Sequence, residues 1–316
     1  MNDALQLLAR LSVPVFVVSS MLAMGLRLTP RAVLAPLRNP RLVAITLLVN
    51  FFFAPAAAYL LTMVVPLDRS YAAGLLLLSV AAGAPFLPKL TEAARGDPSL
   101  SVAVMSLLTG GTILFMPFAV PLLVPGFNAG AWVIAKPLLL TMVLPLITAM
   151  CVRMLLREFA ERCRPILSVI STASLLLLML LLIGLNLNAL IGIIGSGAIA
   201  VSAVFLSVTF AAGYSLGGAT ADERGVLGLA AVARNVAAAL PVAAAHGDPK
   251  VIVMLLACTL TGLVLSLLVI SRLRRSPRHD RPPPDAAGHR TGATTGGTNG
   301  RREIASGRDA ISSPRR

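Results

Sequence analysis

Charge is what this chain has least of for its length. Only 13% of its 316 residues are Asp, Glu, Lys or Arg and 57% are hydrophobic, where a soluble domain carries about 25% charged residues. That deficit excludes a surface facing water on all sides. Lysine is scarcer still, with Lys89, Lys136 and Lys250 set against 24 Arg. The three cysteines, Cys151, Cys163 and Cys258, are too scattered for a metal motif, a redox motif or a disulfide framework, and read as reduced packing residues. The histidines form no cluster. A Gly-x-x-x-x-Gly-Lys phosphate loop is missing, which argues against ATP-driven transport by this chain alone. No intramembrane acid/base pair, metal-ligand cluster or Ser–His arrangement supports an enzyme, so no catalytic residue, metal site or cofactor is expected.

What is abundant is long apolar sequence. Nine runs reach the roughly 20 residues that a helical span needs: about 8–28, 41–67, 69–93, 98–124, 130–156, 162–187, 189–217, 223–246 and 249–271. They are hydrophobic all round and lack the two-residue alternation of barrel strands. The expectation is an all-α integral membrane protein of nine transmembrane helices, with a transmembrane domain over 1–272. The first run is read as a retained span, since no small-residue cleavage site follows it; a signal peptide is the alternative.

The net charge of +14 resembles that of a nucleic-acid binder, but its distribution argues otherwise. Arg27, Arg31, Arg38 and Arg41 lie between runs 1 and 2, and Arg153, Arg157, Arg162 and Arg164 between runs 5 and 6. Residues 272–316 hold eleven Arg against four acids. These regions share one side only if the number of spans is odd, and the positive-inside rule makes that side cytoplasmic, with the N-terminus outside. The segment 273–316, with Pro282-Pro283-Pro284 and Gly296-Gly297, reads as a disordered basic tail. It adds to the positive-inside charge, and attachment to anionic membrane lipid is a second use. Lys136 reads as an interface anchor.

Two stretches 151 residues apart share punctuation: Ala94-Arg95-Gly96-Asp97-Pro98 and Ala245-His246-Gly247-Asp248-Pro249. Each reads as a helix stop at Gly, an N-cap at Asp and a Pro in the next first turn. The span count places them on opposite sides, as in the inverted repeats of secondary transporters; punctuation this common also arises by chance. Just before each copy sits an anomalous span. Gly83, Pro85 and Pro88 interrupt the third run, and Arg234-Asn235 the eighth. At the same offset Arg234 corresponds to Gly83. Interrupted spans in matching positions point to a transporter's binding site. An Arg at mid-membrane costs at least about 2.5–3.5 kcal/mol and is functional by default. Arg234 either faces a ligand or is satisfied by carbonyls freed at the break, and the two uses are compatible. Lys89 is either a snorkelling residue at the inner edge or a cavity residue.

On these residues the chain resembles the bile acid:sodium symporter family, over about residues 8–272. The likeness rests on Met24-Gly25-Leu26-Arg27-Leu28-Thr29, on the broken span leading to Ala94-Arg95-Gly96-Asp97 and Leu100-Ser101-Val102-Ala103-Val104, and on Arg234-Asn235 before an Ala-rich stretch. It implies an inverted repeat of four plus five helices (about 8–124 and 130–271), a panel of spans 1, 5 and 6, and a core containing two crossed broken helices. It also implies alternating access for small organic anions in a bacterial inner membrane. Substrate contacts fall on Arg234, Asn235, Pro85 and Lys89, and the ion-site region on Ser101, Pro88 and Ala230. The family's sodium ligands are largely unmatched: its Ser-Asn pair falls on Leu87 and Pro88, its Thr on Met105, its Glu on Ala230 and its Gln on Arg234. No Asp or Glu lies deep in any run, and Glu92 comes closest. Sodium wants oxygen ligands, and this set suits it poorly, although backbone carbonyls at the breaks could still hold an ion. The expectation is that Arg234, with Lys89, supplies the charge of a bound sodium, making anion transport sodium-independent or weakly coupled. A non-transporting receptor or scaffold is the other class of function. Neither the substrate nor the oligomeric state is legible.

Overall fold

A computed structural model describes residues 2–29, 39–124, 126–127, 130–185 and 187–275. Arg31, Arg38 and the tail beyond Arg275 lie outside the described residues. Helices run over α1 Asn2–Gly25, α2 Pro40–Val64, α3 Arg69–Val80, α4 Leu87–Ala93, α5 Pro98–Leu123 and α6 Ala131–Leu155. They continue with α7 Arg157–Leu185, α8 Leu187–Gly192, α9 Ala198–Leu216, α10 Ala221–Val232, α11 Val236–His246 and α12 Pro249–Arg275. No strand occurs among the described residues.

Eight stretches are long and apolar enough to cross a membrane: α1, α2, α5, α6, α7, α9, the α10–α11 pair and α12. The remaining apolar run, 69–93, folds as two short helices. The longer, α3, has 12 residues, or about 18 Å at 1.5 Å per residue, against a hydrocarbon core of about 30 Å. Neither half could cross alone.

Local chemistry sets the ends. Asn39, Asp68, Asp97 and Asn235 each cap the following helix through a side-chain oxygen, and Thr220 with Glu223 forms a reciprocal capping box. Pro40, Pro98 and Pro249 occupy first turns, where a missing N–H costs nothing. Of the two matching stops, the second turns at Gly247 (φ +82°) as its glycine suggests, while the first turns at Arg95 (φ +59°) rather than Gly96. The Gly96 N–H then reaches back to the Thr91 carbonyl at 2.8 Å, closing the helix end.

Three boundaries differ from the sequence reading. The helix of the sixth run, α7, begins at Arg157 rather than near 162, because Glu161 pairs with Arg153 (2.9 Å) and Arg157 (3.1 Å) and draws the basic connection into the helix. The seventh run becomes a long helix only at Ala198, after short turns broken by Gly195-Ser196-Gly197. Finally, α2 and α6 each contain a π-helical turn, Val49–Phe53 and Leu139–Val143. In both, a proline follows within two residues (Pro55, Pro145), and its missing N–H favours the wider register.

Two sets of helices pack closely within themselves, with further contacts between them at α5–α6 and α1–α11. Helix α1 lies against α6 and α7, while α3 packs on α12, α2 and α5, and α9 packs on α10 and α12. Of the apolar stretch through α10 and α11, 94% is buried within the protein, against 12% for α7. Broken backbone is tolerable at membrane depth only when protein surrounds it, and the α10–α11 stretch meets that condition.

The segment from Asp68 to Ala93 is tied to α12 at both ends. At one end Lys250 pairs with Asp68 at 2.7 Å, Ser70 donates to the Asp248 carboxylate, and Lys250 sits 5.8 Å from the Tyr71 ring centroid. At the other, the Arg274 guanidinium donates to the Ala93 carbonyl. The Lys250 ammonium and the Ser70 N–H hold Asp68 below the ordinary aspartate range. The Ser70 hydroxyl does the same for Asp248, against a smaller opposing effect of burial. Both carboxylates therefore stabilise the fold above the ordinary aspartate value of 3.8, and lose that contribution as pH falls through their lowered values. The pair is exposed, so Asp68→Asn should lower the melting temperature at neutral pH by no more than a few degrees. That difference should vanish in melting curves recorded at acid pH.

Candidate functional site

The two breaks meet and close on each other. Residues 81–86 leave the helical path between α3 and α4, and 233–235 between α10 and α11. Breaking a helix frees carbonyls, and each buried one needs a donor or costs about 1–3 kcal/mol. Here the second break and α5 supply the donors. The Asn235 N–H reaches the Ala81 carbonyl at 2.9 Å, and its side-chain amide reaches the Gly83 carbonyl at 3.1 Å. The Thr109 hydroxyl donates to Gly83 O at 3.0 Å, and the Thr112 hydroxyl exchanges hydrogen bonds with the N–H and carbonyl of Ala82, both at 2.9 Å. The Asn235 side-chain oxygen meanwhile accepts from the Ala238 N–H at 3.1 Å, capping α11. One asparagine thus starts a half-helix and fastens the opposite break.

Gly83 is the pivot. Its φ of +81° is one that L side chains rarely adopt, and an added Cβ would lie 2.5 Å from the Thr109 backbone nitrogen. Pro85 stands in the break. Pro88, expected as a breaking residue, instead sits in the first turn of α4 and is buried there. A first turn has no N–H for proline to spoil.

Arg234 is 3% exposed. Its Nη1 donates to the Ser79 carbonyl at 3.3 Å, in the last turn of α3, and its guanidinium lies 5.4 Å from the Phe205 ring centroid. Nε and Nη2 have no protein partner, and no salt bridge reaches Arg234 among the described residues. The C-terminal end of a helix carries partial negative charge from its unsatisfied carbonyls, so a cation there is favoured. The aromatic face adds about 2 kcal/mol or more where water is excluded.

Of the residues placed in an ion-site region, only Ser101 carries a side-chain oxygen. The Ser101 hydroxyl donates to the Pro98 carbonyl at 2.8 Å, and Ala230 is 1% exposed with no oxygen to offer. The carbonyls of Ser79, Ala81, Ala82 and Gly83 already accept internal hydrogen bonds, one of them from a guanidinium. A hard cation needs several oxygens and prefers a carboxylate. This set lacks the carboxylate and has a positive charge in its place.

Beside the crossing lies a small open cleft of about 70 Å³. One wall is formed by α1 and α7, including Ser20, Ser168 and Ser171; the other comes from Pro85, Phe86, Lys89 and Met105. Arg27, just past the end of α1, also lines it. Burial holds the Arg27 guanidinium below its ordinary range, Arg164 pushes the same way, and Glu92 opposes both. Pro85 and Lys89 therefore reach the cleft, whereas Arg234 and Asn235 do not line it and act at the crossing behind. Pro85 belongs to both. The sequence reading missed Arg27, taken as an orienting charge; its place directly after Met24-Gly25-Leu26 was the available signal. It also missed Thr109 and Thr112, whose hydroxyls three residues apart lie on one face of α5.

Comparison with individual curated proteins finds no match. A family model does match, the one described as the sodium bile acid symporter family, over residues 14–193. The matched stretch runs from within α1 through α8, takes in the first break and every residue lining the cleft, and stops before α9, α10 and Arg234. It exceeds half of the 316 residues, and with the apolar helices it makes this a multi-pass membrane protein. The chain belongs to the sodium bile acid symporter family.

Proposed function

We propose that the protein is a secondary transporter of small organic anions, working by alternating access without a coupled sodium ion. The observation that carries this reading is Arg234 at the crossing, buried, in no ion pair among the described residues, and donating to the Ser79 carbonyl at the end of α3. In transporters built on broken helices, carbonyls and half-helix C-terminal ends are where a coupling cation is held. Arg234 puts a covalently attached cation in that place. The neighbouring cleft supplies an entry for substrate, with Lys89 as counter-charge and Pro85 linking cleft and crossing.

The wider architecture follows. Taking α3 with α4 and α10 with α11 as one broken span each gives nine spans, in a four-plus-five inverted repeat over about 8–124 and 130–271. Helices α1, α6 and α7 form the panel and the rest the core. The N-terminus lies outside and the basic tail in the cytoplasm, at a bacterial inner membrane. Alternating access is a movement of one group against the other about the cleft.

The test is uptake of labelled carboxylates and sulfonates into proteoliposomes. Saturable uptake of at least one anion is expected, with Lys89→Gln lowering its initial rate about tenfold or more, as for loss of one charge-assisted hydrogen bond. A folded, reconstituted protein that moves none of these anions would leave the receptor or scaffold reading instead.

A further inference from the structure

Arg27 and Lys89 reach the cleft from different elements, Arg27 from the end of α1 and Lys89 from α4. Neither belongs to a salt bridge among the described residues, although Glu92 acts on Arg27 electrostatically. Arg27 is half-buried, so its charge is poorly screened by solvent. Ser20, Ser168 and Ser171 add hydroxyls to the same cleft, and Phe16 an apolar side chain. Lys89 is exposed and Glu92 acts on Arg27, but a single anionic group bound in the cleft can meet only one of the two cations directly. Two anionic groups on a short carbon chain match both.

We propose that the cleft binds a small organic dianion, with one anionic group on Arg27, the other on Lys89, and the chain between them among the serine hydroxyls. This rests on the reading of the chain as an organic-anion transporter and narrows its substrate class. It also gives the substrate a mechanical role. A dianion joins the group containing α1 to the group containing α4, so occupancy draws the two walls together and a monoanion does not.

The test uses the full-length protein in lipid nanodiscs and matched acids of equal chain length: butyrate against succinate, and hexanoate against adipate. Ligand-induced shifts in melting temperature are titrated for each. At least one dianion should half-saturate at a concentration about tenfold or more below that of its monoanion partner, the difference expected for one additional charge-assisted contact. Arg27→Gln and Lys89→Gln should each shrink that ratio to about threefold or less, and Lys89→Arg should retain it because the charge is kept. Equal responses to the two members of each pair overturn the proposal, and so does a preference for dianions that survives both glutamine substitutions. Uptake into vesicles separates the two levels: saturable transport of monoanions with no dianion preference removes this inference alone, whereas no protection and no uptake by any acid removes the transport reading with it.

Discussion

Arg234→Ala lowers sodium-free anion uptake at least about tenfold while the protein stays folded. Two unit charges 4 Å apart interact by about 4 kcal/mol at an effective dielectric of 20, and by less as the separation grows. A loss of about 1.4–2.8 kcal/mol at the neighbouring cleft is therefore the reasonable scale, about ten- to a hundredfold. The substitution leaves the Ser79 carbonyl without its side-chain donor and removes the positive charge at the end of α3. It also relieves the cost of burying a guanidinium with two unpartnered nitrogens, which is why stability should suffer less than function. Arg234→Lys keeps a charge but loses the planar fork and its stacking on Phe205, so it should fall between wild type and alanine. Initial rates in proteoliposomes measure all three. Uptake by the alanine variant equal to wild type would show that the buried cation plays no part in anion transport.

The largest stability effect belongs to Gly83→Ala. A non-glycine residue at φ +81° costs about 1–3 kcal/mol. The added Cβ meets the Thr109 nitrogen at 2.5 Å and the Leu108 carbonyl carbon at 2.8 Å, which are backbone atoms that cannot swing aside. Overpacking of that kind adds about 1–3 kcal/mol. The break would have to lift from α5, breaking the Thr109 and Asn235 bonds to the Gly83 carbonyl. Expected together are a melting temperature lower by about 5–15 °C and loss of uptake. Gly110→Ala, in α5, is the control: nothing lies within 4 Å of its added Cβ, and alanine is the better helix former by about 1 kcal/mol. A Gly83→Ala protein that melts with wild type would mean the first break does not press on α5.

Much of this was legible because membrane sequences announce helices through length and uniform apolarity. The eight long apolar stretches fall on eight of the nine runs read from the sequence, one of them interrupted at 233–235, and the remaining run, 69–93, folds as two short helices. Gly83 and Arg234-Asn235 stood out because glycine, arginine and asparagine are costly in an apolar helix unless the backbone there is irregular. Less visible was how the breaks are satisfied. Which carbonyl receives Asn235, Thr109 or Thr112 depends on three-dimensional crossing, and a hydroxyl in an apolar run gives no direction by itself. Arg27 was hidden for another reason: an Arg just past a span satisfies the positive-inside rule, so its charge already had an explanation. The helical start of α7 was lost because Arg157 to Arg164 reads as a charged loop until Glu161 is seen to bridge Arg153 and Arg157.

The claim on which the account turns is that a side chain has taken the place of the coupling ion. It is tested most directly by initial rates of uptake of an accepted anion into proteoliposomes at fixed ionic strength, with sodium replaced stepwise by potassium or choline. With Arg234 held by the end of α3, the rate should stay flat across the sodium series. A saturable rise with sodium, with uptake lost when sodium is withdrawn, would contradict it.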